Sequence, residues 1–135
     1  GAKLTAPERP TVAVVGDGGF AMLGMEVSTA VTHGVAVVWI VLNDGRLNAV
    51  HHGQRRQYEG RTVGTEFRRL DVCGVASALG AWSLRVEGED EVAPALAAAL
   101  ASRRPAVLDV RVDPDEEPPL QSRIRALERH FGSGE

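Results

Sequence analysis

The chain has one cysteine, Cys73, so it forms no internal disulfide. That usage fits a reducing, cytoplasmic setting. Long hydrophobic runs are missing too. The longest uninterrupted apolar stretch, VAVVWIVL at 35–42, is too short to cross a bilayer. Residues 1–10 lack the apolar segment of a secretory signal. There is no excess of positive charge: 15 basic residues face 18 acidic ones, for a net charge of −3. The one local basic cluster, Arg55, Arg56, Arg61, Arg68 and Arg69, is interrupted by Glu59 and Glu66. It reads as a solvated loop, and nothing argues for nucleic acid or membrane. No repeat is visible. The start, GAKLTAPERP, has no initiator methionine and reads like the end of a helix before a proline turn. That is the expected look of a piece of a longer polypeptide.

What is present is one compact domain's worth of chain, 135 residues with 44% hydrophobic and 24% charged. TVAVVG (11–16) and VAVVWIVL (35–42) are apolar β-branched runs and read as buried strands. AWSLRVE and PAVLDVRVD read as two more. Between the first two lies GFAMLGMEVSTAVTHG, with Met22, Met25, Val27, Ala30 and Val31 near helical spacing and Gly34 as a stop. Met22 and Met25 are expected in the core. Glu26 reads as a structural cap or pair, and His33 as a contact at a helix end.

A shorter helix is expected from Leu47 to about Gln57, then a polar, mobile loop over 58–70. DVCGVASALG reads as a helix with Asp71 as N-cap and Gly80 as stop, and Cys73 as a small core residue. GEDEVAPALAAALASRR reads as a helix begun by acidic residues and closed by Arg103 and Arg104, with Pro94 near its first turn. The alternation predicts an α/β fold: a three-layer, doubly wound parallel sheet with helices on both faces, truncated at the N-terminus.

In such a sheet, ligands sit beyond the carboxyl ends of the strands. Two glycine turns fall there. The first, Gly16-Asp17-Gly18-Gly19-Phe20-Ala21, matches a dinucleotide pattern, and Asp44 supplies the acidic residue that pattern wants after the next strand. The carboxylate of Asp17 argues otherwise. Inside a phosphate-binding turn it opposes the anion, unless a divalent cation lies between them. Magnesium suits, since it pairs one or two carboxylates with phosphate oxygens. The second turn, LNDGRLN, offers Asp44 as the other ligand. Glycines at 18 and 19 let the main chain approach a diphosphate. The plainer alternative is an Asp17 that only bonds its own turn.

Gly-Asp-Gly after one strand and Asn-Asn or Asn-Asp after the next resembles the thiamine diphosphate motif. Here it stands as GDGGF and LND, within PERPTVAVVGDGGFAMLGMEVSTA and ahead of LDVRVDPDEEPPL. By these residues the chain is similar, over nearly its whole length, to the diphosphate-binding domain of acetolactate synthase-like enzymes. The resemblance implies such a domain over 1–113, N-terminally incomplete, with a proline-rich connector and C-terminal helix or tail over 114–135. It implies Mg²⁺ held by Asp17, Asp44 and the backbone carbonyl of Arg46. It implies a diphosphate held by the turn of Gly16 and Asp17 and by the amides of Gly18, Gly19 and Phe20, with Asn43 ordering the second turn and touching a phosphate oxygen.

Asp44 replaces the second asparagine of the commoner form, and Asn48 stands where relatives often have glycine. Val50, His51 and His52 are candidates to line the cavity near the thiazolium. No residue here is assigned a catalytic role. The resemblance places the activating glutamate in a pyrimidine-binding domain of the same or another subunit, in a homodimer or homotetramer. The implied enzyme decarboxylates a 2-oxo acid and joins the activated aldehyde to a second carbonyl compound. A 2-oxo acid decarboxylase, a nicotinamide or flavin dinucleotide domain, and a non-catalytic remnant are the alternatives.

Overall fold

The computed structural model describes residues 1–116. The helix and tail expected after the proline-rich exit lie outside the described residues. After a single short turn of helix, α1 (Ala2–Thr5), the chain alternates as the hydrophobic pattern predicts. β1 (Val12–Gly16) leads to α2 (Asp17–Leu23) and α3 (Val27–Thr32); β2 (Val38–Asn43) leads to α4 (Asn48–Gln57) and α5 (Val72–Ala78). β3 (Trp82–Val86), α6 (Glu89–Ala101) and β4 (Ala106–Arg111) complete it. All strand pairs are parallel, in the order β1-β2-β4-β3. β4 therefore inserts between β2 and β3, and all four strands end at one edge.

Strand alternation sends successive side chains to opposite faces. Val41 and Val107 meet Phe20, Val27, Val72 and Ala76 of the helices on one face. Val38, Ala106, Leu108 and Val110 meet Ala95 and Ala99 of α6 on the other. These are the three layers. The cover by α6 centres on β3 and β4 and does not reach the outer edge of the sheet, where Val12 and Val14 of β1 are left 39% and 63% exposed.

Several local expectations change. The stretch after Gly16 is not one helix: a 3₁₀ turn at Gly24–Glu26 separates α2 from α3. A 3₁₀ turn holds fewer residues per turn, so it rotates the buried stripe. Phe20, Val27 and Ala30 point inward, and Met22 and Met25 are exposed at 72% and 63% rather than core. Gly24 is required there, because a Cβ would lie 2.9 Å from the Phe20 ring. Pro94 lies inside α6, beyond the first turn, so the Asp90 carbonyl has no N–H donor from it. No basic residue falls in the last turn of α6. The chain turns at Arg103, with φ of 51°, beyond the helix end. Asp71 does cap α5, accepting from Gly74 N at 3.2 Å, and Gly80 follows with φ of 89°.

Cys73 is part-buried rather than fully enclosed. Burial pushes its thiol above the ordinary range, and the nearby Asp109 carboxylate adds to this. A raised thiol pKa keeps the group protonated and slow to react at mild alkaline pH. Iodoacetamide at pH 8 should label folded Cys73 about tenfold more slowly than the unfolded chain. Equal rates in the two states would contradict the burial.

Candidate functional site

The carboxyl ends of β1 and β2 lie side by side, with Gly16 opposite Leu42 in register. The two glycine turns that follow are therefore neighbours. Asp17, 2% exposed, links them directly. Its Oδ1 accepts from the Gly18 amide and its Oδ2 accepts from the Gly45 amide, both at 2.7 Å. Asp44 folds back on its own turn, where its Oδ1 accepts from Arg46 N at 2.9 Å. Desolvation pushes the Asp17 carboxyl above the usual aspartate range; the Gly45 and Gly18 amides pull it down, and the Asp44 charge pushes it up again. The Arg69 guanidinium opposes that last push. Two carboxylates thus share one edge.

The glycines divide their work. A Cβ on Gly18 would lie 2.6 Å from Leu47 Cδ2, so Gly18 is where the start of α2 meets the start of α4. Gly16 and Gly19 are exposed and have nothing within 4 Å of a would-be Cβ. They face open space at the mouth of the turn. Gly45 has φ of 78° and packs against Phe67 O and Arg69. Gly45→Ala should cost about 1–2 kcal/mol of stability from the left-handed backbone alone. Chemical denaturation would measure this, and a neutral result would contradict the turn geometry.

The expected mobile loop is fastened in its second half. Leu47 N donates to Thr65 O at 2.8 Å, and Phe67 N donates to Gly45 O at 3.1 Å. Arg46 and Glu66 face each other in an antiparallel bridge, with their side chains paired at 3.5 Å. The Arg46 guanidinium also reaches Asp115 at 2.8 Å. Residues 65–67 are thus a strap across the second turn. Composition hides this, because the pairing joins segments far apart in sequence.

Asn43 is fully buried. Its Nδ2 donates to Leu70 O at 2.9 Å and to Asp109 Oδ1 at 2.8 Å. Both N–H groups are committed, so it orders the turn and has no donor left for a phosphate oxygen. Val50 is half exposed. His51 and His52 are buried at the start of α4, edge to face, and His51 Nδ1 lies 2.9 Å from Thr65 Oγ1. His51 therefore braces the strap in this structure. Thr65, Phe67 and Asp109 were not singled out from the sequence, and Arg69 was read there only as part of a solvated basic loop. Only Asp109 left a signal there, as a lone charge within the apolar run AVLDV.

Among the described residues, no group of three or more histidine, cysteine, aspartate or glutamate side chains converges as a metal centre. A two-carboxylate site fits a magnesium ion whose remaining ligands are phosphate oxygens, a backbone carbonyl and water. The open space at Gly16 and Gly19 fits an incoming phosphate group.

Fold and edge together describe a doubly wound α/β domain with two acidic glycine turns side by side at the carboxyl edge of its sheet. A family model described as the thiamine pyrophosphate enzyme C-terminal TPP binding domain matches residues 1–110, and the chain belongs to that family. Thiamine diphosphate is the family's cofactor. The chain is 36% identical to the acetolactate synthase of Bacillus subtilis (strain 168), over 98% of its own length and 23% of the relative's. It is 40% identical to an acetolactate synthase large subunit of Mycobacterium tuberculosis (strain H37Rv), over 91% of this chain and 22% of the relative. The sulfoacetaldehyde acetyltransferase of Castellaniella defragrans is 31% identical over 96% and 23%. Among solved structures, the Rhodococcus jostii RHA1 thiamine diphosphate-dependent 4-hydroxybenzoylformate decarboxylase superposes with a TM-score of 0.73 at 26% identity. That match covers 83% of this chain and 21% of the other. The chain thus spans about a fifth of the length of the relatives it matches. Among the described residues, no helix is long and apolar enough to cross a membrane.

Proposed function

We propose that this chain anchors the diphosphate of thiamine diphosphate through Mg²⁺, as part of an acetolactate synthase-like enzyme. Asp17, Asp44 and the Arg46 carbonyl hold the ion. The amides of Gly19 and Phe20, with the open mouth at Gly16, receive the diphosphate. Gly18 N donates to Asp17 in this structure, so its first part is to aim that carboxylate. Val50 and His51 remain the candidates nearest the thiazolium. One observation carries the reading: a buried carboxylate, hydrogen-bonded across both turns and sharing its edge with a second acidic side chain. A cradle for a bare phosphate would not place two negative charges there.

When bound, the cofactor supplies the carbanion-stabilising chemistry for decarboxylating a 2-oxo acid. The protein's part is to hold the charged end still, so that the reactive end is presented to a second domain. A pyrimidine-binding domain, from the same or another subunit of a homodimer or homotetramer, completes the site in the cytoplasm. The uncovered β1 face fits a domain that docks on further protein. Carboligation is the first reading, supported by the acetolactate synthase relatives. Simple decarboxylation is second, supported by the decarboxylase neighbour.

Titration calorimetry of the complete polypeptide tests the anchor. Thiamine diphosphate should bind only with Mg²⁺ present, and a nicotinamide dinucleotide should not bind. Metal-independent binding, or preference for the dinucleotide, would overturn it.

A further inference from the structure

Asp109 lies outside both motif turns, yet it is fully buried. It stands in β4 between Val41 of β2 and Arg85 of β3. A carboxylate in such a place is costly unless its oxygens are occupied. Oδ1 accepts from Asn43 Nδ2 at 2.8 Å. Oδ2 faces Arg85 Nε and Arg111 Nη2, each at 3.3 Å. Arg85 continues to Asp71 at 2.9 Å, the residue that caps α5. The remaining proton of Asn43 Nδ2 goes to Leu70 O.

A carboxylate and a carbonyl can only accept, so these two neighbours decide which way the Asn43 amide points. Asn43 immediately precedes Asp44. Leu70 lies just beyond the strap that pairs with Gly45 and Leu47. One amide therefore ties the head of the second turn to the end of its strap, and Asp109 holds that amide from below. We propose that Asp109 is a positioning residue for the cofactor site: it fixes Asn43, and through it the backbone of residues 44–47 and the strap. The inference rests on the reading of that turn as the metal site.

An ordinary core ion cluster is the competing account. It would stabilise β4 and the cap of α5 without singling out the turn. Apolar replacements often serve as well for stability, but they cannot select the orientation of an amide.

Hydrogen exchange of the complete polypeptide, without cofactor, separates the two. The amides of Gly45, Leu47 and Phe67 are bonded to Asp17, Thr65 and Gly45 respectively. In Asp109→Asn they should exchange at least about tenfold faster, while β1 and α6 keep their parent rates. Asn43→Ala should show the same local pattern, and the double variant should add little to it. Titrated at fixed Mg²⁺, Asp109→Asn should need about tenfold more thiamine diphosphate for half-saturation.

Unchanged exchange at the turn in Asp109→Asn would overturn the proposal. So would acceleration spread evenly over β4 and α5, or an Asn43→Ala variant with parent rates at the turn. If Asp109→Asn does not fold, Asn43→Ala decides by the same exchange pattern. If the parent protein itself binds no thiamine diphosphate, the cofactor reading fails, and the exchange pattern still decides the role of Asp109.

Discussion

Asp17→Asn should lower the affinity for thiamine diphosphate on the order of 100-fold at limiting Mg²⁺, and Asp44→Asn should lower it less. A charged group in a buried contact is worth about 3 kcal/mol, which corresponds to roughly that factor. Asp17 lies within the phosphate turn, buried and bonded to both turns. Asp44 is part-exposed and occupies the place where the resembling motif commonly has a neutral asparagine. Asparagine keeps one oxygen at either position, so the comparison isolates charge. At Asp17 it also leaves one of the two amide donors facing an NH₂ group.

The metal-free protein offers a check of opposite sign. Burial raises the Asp17 pKa above 3.8, so its contribution to stability is greatest below that value and is lost as pH rises through the folded pKa. Asp17→Asn should flatten this part of the stability profile without metal. Calorimetric titrations at several Mg²⁺ concentrations, with denaturation curves against pH, measure both effects. A larger loss from Asp44→Asn would reverse the roles assigned to the two carboxylates.

Leu108→Ala should cost about 2–5 kcal/mol of unfolding free energy. Leu108 has no exposed surface and sits in β4 under α6, against Ala95 and Ala99. Those small helix residues cannot reach into the space left by the lost side chain, so the cavity stays open. The effect on cofactor affinity should be small where the variant is folded, because Leu108 lies away from the carboxyl edge. Urea denaturation of the complete polypeptide is the measurement. A loss below about 1 kcal/mol would mean that α6 does not close over β4 as described.

The strands, the three layers, and the two turns that carry Asp17 and Asp44 were legible from residue pattern alone. Those features are local or periodic: β-branched runs mark strands, glycines mark turns, and parallel strands present their ends at one edge; the burial expected of β1 fails on one face, where Val12 and Val14 are left uncovered. The same pattern located Asp71 as a helix cap, since a cap bonds an amide three residues away. Which strand lies beside which, with β4 inserted next to β2, was set by packing in three dimensions. That neighbour relation brings Asp109 to Asn43 and gives a lone charge in an apolar strand its partner. The strap has the same origin: Thr65 and Phe67 pair with Leu47 and Gly45 through backbone groups, which every residue carries and no composition reveals. Met22 stands two residues from the buried Phe20, on the opposite side of α2, and Met25 falls within the 3₁₀ turn that breaks the helical period, so both face outward. Spacing along a chain reports which residues share a face while the helix stays regular; where its period breaks, packing decides, and here the Phe20 ring against Gly24 set the new phase.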